Sequence, residues 1–290
     1  IQSHLPVREQ KSAKGHAVRA MYLYSAMADI ARDCCDQKMQ EACEALFQDI
    51  VRHKLYITGG IGSSKHGEAF TIPYDLPNKE AYTETCAAIG LIFFSSRLLL
   101  SQVDSIYGDV VEQVLYNGFL SGLSLDGKAF FYTNPLELCP EWLEKDVDKP
   151  KEDQPWLPWL TQRVKVFGCS CCPPNVTRLL ASLGGYQYTY EGDALWVHQY
   201  MDSEAVHGGM QIRQETQYPN DGRISITVDG VGRLAFRIPG WCSAYKIFLD
   251  GQPWEGEEKR GYVYLRLPPG RHNLELQLDM PCVLVEAHPR

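Results

Sequence analysis

Two short pieces of the sequence hold side chains that could bind a metal ion or act as nucleophiles. Glu84 and Cys86 are two residues apart. Cys169, Cys171 and Cys172 crowd within four residues. Zinc in proteins favours four ligands drawn from cysteine, histidine and carboxylate. The first pair and two of the three clustered cysteines would supply such a set, so we predict a zinc site formed by the two pieces.

The position of these residues relative to predicted helices decides whether they can share an ion. Side chains at positions i and i+2 of a regular helix diverge, so Glu84 and Cys86 can converge only at a helix terminus. Cys172 is followed by Pro173 and Pro174, which stiffen the turn before another predicted helix. The dipole of that helix favours a thiolate at its N-terminus.

Two other interpretations of these cysteines stay open at this point. Cys86, Cys169, Cys171 and Cys172 could form a closed, purely structural zinc site, or they could be buried thiols without a metal. Glu84 favours a catalytic site, because purely structural zinc sites prefer sulfur and histidine to carboxylate oxygen. No role follows for Cys169.

A third candidate, Glu68, lies in a long glycine-rich loop, Thr58–Asn78. Loops of this length inside a domain are usually functional or disordered. Residue type alone makes Glu68 an ordinary solvated glutamate. The run Thr58-Gly-Gly-Ile-Gly-Ser63 in the same loop lacks the strand–helix context of a phosphate-binding loop, so it is weak evidence for nucleotide binding.

Helices must position these groups, and apolar side chains at helical spacing predict five helices within residues 1–190. The predicted helices are His16–Ala31, Lys38–Val51, Glu80–Leu100, Ser105–Gly118 and Asn175–Tyr188. A second long loop, Pro135–Lys165, carries three tryptophans that could stack on sugar rings or anchor the loop: Trp142, Trp156 and Trp159.

Residues 191–290 show a different pattern, with short alternating apolar and polar runs between turn residues. The predicted strands are Leu195–Tyr200, Met210–Thr216, Arg223–Val228, Arg233–Ile238, Lys246–Leu249, Tyr262–Leu267 and His272–Leu278. Seven short strands at this spacing predict an antiparallel β-sandwich. We therefore predict an α+β protein of two domains, with boundaries 1–190 and 191–290.

Bulk composition excludes several classes of protein. The 290 residues can form two domains with their own cores, and a net charge of −8 argues against a nucleic-acid surface. No apolar run reaches the roughly 20 residues needed to span a bilayer. Because the chain opens on Ile1 in a polar stretch, we expect it to be part of a longer protein, without its targeting information.

Four segments of the chain resemble glycoside hydrolase family 127, whose best-known members are β-L-arabinofuranosidases. The segments are Tyr56-Ile-Thr-Gly-Gly-Ile-Gly62, Tyr82-Thr-Glu-Thr-Cys86, Tyr107-Gly-Asp-Val-Val-Glu-Gln-Val-Leu-Tyr-Asn117 and Cys169-Ser-Cys-Cys-Pro-Pro-Asn175. The resemblance runs from about His16 to the end of the chain. It implies the later half of an (α/α)6-type helical barrel followed by a jelly-roll-like β-sandwich.

The resemblance also implies roles for individual residues. Glu84, Cys86, Cys171 and Cys172 correspond to zinc ligands of the family, and Cys171 corresponds to the nucleophile. Glu68 corresponds to the general acid/base. A retaining glycosidase usually has two carboxylates in these roles, about 5 Å apart. Here a metal-bound thiolate would replace one carboxylate, since metal binding deprotonates a thiol.

Three further residues would contact the sugar in a family member: His16, Glu112 and Tyr132. Each has an ordinary alternative from its sequence context. His16 could cap a helix or lie on the surface, Glu112 could form a surface ion pair, and Tyr132 could be a core residue.

The resemblance thus predicts a retaining hydrolase that releases β-L-arabinofuranose or a related L-sugar from an arabinofuranosyl-containing glycan. We expect bound Zn²⁺, no nucleic-acid or membrane partner, a possible homodimer, and a cytoplasmic location with the periplasm as the alternative. Two other functions stay open. The chain could be a non-catalytic, zinc-stabilised binding fragment, or a hydrolase of another bond type that uses a zinc-activated water.

Overall fold

Three long α-helices lie in the first of two units in the computed structural model of this chain. They are α1 (Ala17–Asp33), α2 (Gln37–His53) and α3 (Thr85–Ser101). A fourth helix, α4 (Ser105–Gln113), continues as a π-helix over Val114–Phe119 and a 3₁₀ turn over Leu120–Gly122, and a fifth, α5, spans Cys172–Ala181. The structure describes residues 2–137, 163–165, 169, 171–286 and 288–289.

The first unit comprises Ile1–Ser101, Val110–Leu180 and His288–Arg290, and the second comprises Gln102–Asp109 and Ala181–Ala287. Predicted and observed helix ends agree within a few residues for α1 and α2. The Asp36 carboxylate fixes the start of α2 by accepting a 3.1 Å hydrogen bond from the Met39 N–H, as an N-cap residue does. The partial (α/α)6-type barrel implied by the resemblance stays a prediction.

Helix α3 is apolar around its whole circumference and is buried almost throughout, which is typical of a central helix. It packs against α1 at Gly90, where a Cβ atom would lie 2.7 Å from the Cβ of Met21. This contact explains a glycine inside a helix, because no other residue allows the two helices to approach so closely.

The predicted start of α3 at Glu80 is wrong, because the helix begins at Thr85. The residues before it are held in a non-helical path by the glycine-rich loop. The Tyr82 N–H donates to the Ser63 carbonyl (3.1 Å), and the Thr83 N–H donates to the Gly62 carbonyl (2.9 Å). Thr83 has a φ of +38°, which is rare for a β-branched residue and incompatible with helix continuation.

A two-stranded antiparallel ribbon joins the start of α1 to the glycine-rich loop. Strand β1 (Gly15–His16) pairs with β2 (Ala69–Phe70), and His16 lies opposite Ala69. The ribbon therefore places His16 beside the residue that precedes Ala69, which is Glu68.

The second unit is built from nine strands in one hydrogen-bonded sheet. They are β3 (Tyr188–Glu191), β4 (Ala194–Val197), β5 (Ser203–His207), β6 (Met210–Thr216), β7 (Arg223–Arg237), β8 (Tyr245–Leu249), β9 (Gln252–Trp254), β10 (Glu257–Lys259) and β11 (Tyr262–Leu278). The order along the main path is β3-β4-β7-β11-β8-β9, while β6 pairs with β7 and β5, and β10 pairs with β11. Strands β4 and β7 are parallel, so the prediction of a purely antiparallel arrangement is wrong for this pair.

Two predicted pairs of short strands are each one long strand. Arg223–Val228 and Arg233–Ile238 merge into β7, and Tyr262–Leu267 and His272–Leu278 merge into β11. Strand β7 continues because Gly230 and Gly232, at φ +139° and +157°, take a conformation that is essentially closed to other residues. The sequence pattern therefore indicated a turn where the chain only bends.

The residues that the structure describes contain no helix long and apolar enough to cross a membrane.

A buried histidine lies in the core of the second unit. Both ring nitrogens of His198 have partners, Thr189 Oγ1 at 2.7 Å from Nε2 and the Tyr262 hydroxyl at 2.6 Å from Nδ1. Burial, reinforced by the charge of Arg237, lowers the pKa of His198 from 6.5 to about 3. The folded protein thus keeps this imidazole neutral at pH values where the unfolded chain protonates it.

We predict that this group makes the unfolding free energy fall as the pH drops from 6.5 towards 3, since below 6.5 only the unfolded state takes up the proton. Between pH 6.5 and 5 the loss is about 2 kcal/mol at about 1.4 kcal/mol per pH unit. Chemical denaturation at pH 7 and pH 5 should show a smaller difference for H198Q than for the unmodified chain by about that amount. H207Q, in the same unit, is the control. Equal pH dependence in H198Q and the unmodified chain would contradict the prediction.

Candidate metal centre and active site

Four side chains of the first unit converge on one point. The Cys86 sulfur lies 3.4 Å from the Cys172 sulfur and 3.5 Å from the Cys171 sulfur, and these last two are 3.8 Å apart. Glu84 Oε1 lies 3.3 Å from the Cys171 sulfur. One donor atom from each of the four residues lies within 4.8 Å of every other, so the cluster could hold a metal ion.

Two helix N-termini bring these groups together. The Glu84 carbonyl accepts from the N–H groups of Ala87 (2.9 Å) and Ala88 (3.2 Å), so Glu84 stands just before α3 and Cys86 lies in its first turn. Cys171 immediately precedes α5, and Cys172 is its first residue. Because Glu84 precedes the regular helix and follows the irregular backbone at Thr83, its side chain can converge with that of Cys86 although the two residues are only two positions apart. Both helix dipoles also favour negative charge at this point.

The ionisation of the cluster depends on whether a cation is bound. Hydrogen bonds from the Cys172 and Cys86 thiols lower the pKa of Cys171 far below its usual value. Burial raises the pKa of Glu84 to about 9. Hydrogen bonding to Cys171 raises the pKa values of Cys86 and Cys172. The protein groups alone thus favour one thiolate among protonated neighbours, whereas a bound divalent ion would favour the ionised form of all four.

Glu84 also carries an unsatisfied oxygen. Its side chain is buried, and Oε2 has no hydrogen-bond partner among the described residues. A buried carboxylate oxygen without a partner is costly, which is the situation that a metal bond would relieve. The donor set and this oxygen therefore fit a metal ion.

Next to the cluster, Glu68 is held through both carboxylate oxygens. His16 Nε2 lies 2.6 Å from Oε2, and the Tyr82 hydroxyl donates to Oε1 over 2.7 Å. The Tyr132 hydroxyl reaches the same Oε1 at 3.5 Å. Burial lowers the pKa of His16, although the Glu68 charge opposes this. Donor atoms of His16, Glu68 and Glu84 all lie within 4.8 Å of one another.

The backbone around Glu68 is unusual. Gly67 and Glu68 both have positive φ angles, +69° and +51°, within the 3₁₀ turn His66–Glu68. Paired hydrogen bonds between Ser64 and Ala69 (3.0 and 3.1 Å) close the turn. A non-glycine residue at positive φ is uncommon and clusters at functional sites. The turn aims the glutamate side chain at the cluster instead of at solvent.

Tyr132 links the two halves of the site. Its hydroxyl oxygen lies 3.5 Å from the Cys171 sulfur and 3.5 Å from Glu68 Oε1. The sulfur and that carboxylate oxygen are therefore no more than twice this distance apart. A nucleophile and an acid/base at such a separation can act on the same bond of a bound molecule.

The structure brings together most of the residues singled out from the sequence. Glu112 is buried on α4, with 6% of its surface exposed, but belongs to neither group of clustered donor atoms in the described part of the chain. Its place beside Cys171 stays a prediction. The Cys169 sulfur lies 3.9 Å from the Tyr132 hydroxyl and is likewise outside the donor group, in which Glu84 is the fourth member. Trp142, Trp156 and Trp159 lie outside the described residues.

Two contributors were missed from the sequence. Tyr82 donates to Glu68, and the Asn175 amide donates to the Cys86 sulfur over 3.1 Å. Tyr82 is the first residue of the family-like segment Tyr82–Cys86, and Asn175 is the last residue of the family-like segment Cys169–Asn175. Position within a matched segment was therefore the available signal. Residue type gave none, because a tyrosine beside a helix is usually a packing residue.

Two family models match the chain. The model described as Beta-L-arabinofuranosidase, GH127 catalytic domain, matches residues 1–185, and the GH127 middle domain matches residues 194–280. The chain therefore belongs to glycoside hydrolase family 127.

Individual relatives agree with this assignment. A non-reducing end β-L-arabinofuranosidase of Bifidobacterium longum subsp. longum is 38% identical over the whole chain. The crystal structure of a GH127 β-L-arabinofuranosidase from Geobacillus stearothermophilus matches 99% of the chain at 43% identity and a TM-score of 0.89. A GH127 β-arabinofuranosidase matches 99% at 37% identity, also with a TM-score of 0.89. The chain spans only 45–46% of the length of these relatives.

We predict one tightly bound metal ion per chain, which is lost when a donor residue is replaced and kept when a neighbouring non-donor cysteine is replaced. E84Q and C86S should lower the metal content after dialysis against a weak chelator, because each removes an anionic ligand. C169S should keep it, because that sulfur lies outside the donor group. Elemental analysis by mass spectrometry checks this, with C34S at an exposed cysteine as the control.

The reverse pattern, with metal lost in C169S and kept in E84Q, would show the closed four-cysteine site instead.

Proposed function

We propose that this chain carries the catalytic centre of a retaining glycoside hydrolase in which Cys171 is the nucleophile and Glu68 is the general acid/base. The observation that carries the proposal is the Tyr132 hydroxyl, which lies 3.5 Å from both the Cys171 sulfur and Glu68 Oε1. This separation allows both groups to act on one bond, as a double displacement requires. Family membership supports the same reaction class.

We propose that the metal is zinc, held by Glu84, Cys86, Cys171 and Cys172. A tetrahedral site with Zn–S bonds of about 2.3 Å and a Zn–O bond of about 2.0 Å has S–S edges of about 3.8 Å and S–O edges of about 3.5 Å. The observed S–S separations of 3.4–3.8 Å and the S–O separation of 3.3 Å are close to these. When bound, zinc would keep the Cys171 sulfur anionic and act as a Lewis acid towards it.

In the first step the Cys171 sulfur forms a bond to the anomeric carbon of the sugar, and the bond from that carbon to the leaving oxygen breaks. Glu68 donates a proton to the leaving oxygen. In the second step Glu68 takes a proton from water, the water oxygen bonds to the anomeric carbon, and the carbon–sulfur bond breaks to return the thiolate. General acid–base help of this kind typically contributes ~10²–10⁴-fold.

We propose β-L-arabinofuranosides, or glycosides of a related L-sugar, as the substrates. The support is the activity named for the relatives from Bifidobacterium and Geobacillus. His16, Tyr132 and Glu112 are the proposed sugar contacts, and an arabinofuranosyl-containing oligosaccharide is the proposed partner. Residues beyond this chain would complete the pocket, because the relatives are about twice as long. Three thiols in one site favour a reducing compartment, so we propose the cytoplasm.

The proposal predicts a covalent sugar adduct on Cys171. With an activated aryl β-L-arabinofuranoside, the complete natural polypeptide should release the phenol, and acid-quenched E68Q should carry one pentosyl group on the peptide that contains Cys171. E68Q should accumulate it because the activated leaving group needs no acid in the first step, while the second step lacks its base. Peptide mass spectrometry locates the adduct.

C171S should lose turnover and adduct while circular dichroism shows an intact fold, and C169S is the matched control, which should still form the adduct. Turnover that persists in C171S without an adduct would support a zinc-activated water instead. A folded, metal-loaded protein without any turnover would support the non-catalytic fragment.

A further inference from the structure

Tyr82 is a rigidly held residue whose hydroxyl points at Glu68. Its ring is buried, with 2% of the residue exposed, and it packs in a cluster with Cys86, Tyr132 and Cys172. Its backbone is fixed on both sides. The N–H donates to the Ser63 carbonyl (3.1 Å), and the carbonyl accepts from the Asn134 N–H (3.2 Å). The hydroxyl is therefore a fixed point in the site.

Glu68, in contrast, extends from a turn with two successive positive φ angles. A glutamate has three rotatable side-chain bonds, so its carboxylate needs partners to keep one orientation. Tyr82 bonds Oε1 at 2.7 Å, and His16 contacts Oε2 at 2.6 Å. Of these two partners, His16 is the proposed sugar contact and must also respond to substrate. Tyr82 faces the buried cluster, where its hydroxyl also bonds with that of Tyr132, so it is a fixed partner for Glu68.

We infer that Tyr82 is a positioning residue for the general acid/base, and that its hydroxyl holds Glu68 Oε1 at the angle needed for proton transfer to the leaving oxygen. The inference rests on the proposed function, because it assigns Tyr82 to act through Glu68. Proton transfer requires donor and acceptor within about 2.6–3.2 Å. A misplacement of about 1 Å in an active site can cost ~10²-fold in rate.

Tyr132 cannot replace this contact. Its hydroxyl is 3.5 Å from Oε1, at the limit of a hydrogen bond, and equally near the Cys171 sulfur. A change at Tyr132 therefore affects nucleophile and acid/base together. The Tyr82 hydroxyl bonds Oε1 over the shorter distance, 2.7 Å, so a change at Tyr82 acts mainly on the acid/base.

The test uses dependence on the leaving group. An acid catalyst matters for glycosides with poor leaving groups, such as alkyl or sugar alcohols, and matters little for dinitrophenyl glycosides. kcat/KM reports the first step. In the complete natural polypeptide, Y82F should lower kcat/KM for an alkyl β-L-arabinofuranoside by at least about tenfold, and by less than the whole ~10²–10⁴-fold that an acid/base supplies. For the dinitrophenyl substrate it should stay within about threefold.

Y56F is the matched control. Tyr56 is equally buried at 2% and donates its hydroxyl to the Pro77 carbonyl over 3.2 Å, so its loss mimics a buried hydrogen bond removed elsewhere in the unit. Y56F should leave the ratio of the two kcat/KM values unchanged, whereas E68Q should change it more than Y82F does.

The outcomes separate the two claims. If E68Q changes the ratio and Y82F matches Y56F, or if Y82F lowers both substrates equally, the inference about Tyr82 is wrong and the role of Glu68 stands. If E68Q leaves the ratio unchanged, the proposed function is wrong, and the inference falls with it.

Discussion

The site depends on one electrostatic constraint, which is that four groups able to become anions, three of them buried, are packed around one point. Three thiols and a carboxylate in this volume cannot all ionise by themselves, as the opposite pKa shifts of Cys171 and Glu84 show. The two helix N-termini offset only part of the repulsion, since each supplies about half a charge. A bound divalent cation would offset the rest. The fold around it, from the close approach of α1 and α3 to the start of α5, keeps these donors in place.

Irregular backbone occurs at two points where functional groups of the site emerge. Thr83 and Glu68 are both non-glycine residues at positive φ. Thr83 directly precedes Glu84, and Glu68 is itself a residue of the site. Such conformations cost about 1–3 kcal/mol each and persist only where surrounding contacts over-determine them. The glycine-rich loop supplies several of those contacts. A Cβ atom at residue 60 would lie 2.8 Å from the Thr83 side chain. The loop can therefore pack against Thr83 only because residue 60 is glycine. This packing role accounts for the Thr58–Ser63 run without a nucleotide.

Local signals predicted the regular elements well and the irregular ones poorly. Helix α2 was close to right because a side-chain cap and a periodic apolar face are both local properties. The start of α3 was missed because residues before Thr85 bond to the loop around Gly62, a contact that no window of sequence contains. Strand β7 was split for a related reason, since glycines read as a turn can also bend a continuous strand.

The same distinction applies to the site. Residue chemistry suggested metal ligands in two pieces and favoured Glu84 over Cys169, but it left the closed four-cysteine site open, and only the distances place Cys169 outside the donor group. Family resemblance supplied Glu68, which composition alone made ordinary. Tyr82 was overlooked, because its contribution depends on the direction of one hydroxyl, which follows from the turn at Glu68 and the clamp on its own backbone.

The donor residues of the site come from two distant parts of the sequence. Cys86 and Cys171 are separated by 85 residues, so the centre ties the N-terminus of α3 to the N-terminus of α5 across a long stretch of polypeptide. Closing a loop of that length is entropically unfavourable and must be offset by what forms at its ends. Metal occupancy of the centre would thus be coupled to the docking of α5. A chemical change at a single sulfur, such as oxidation, would then act on the attachment of a whole helix as well as on the metal site.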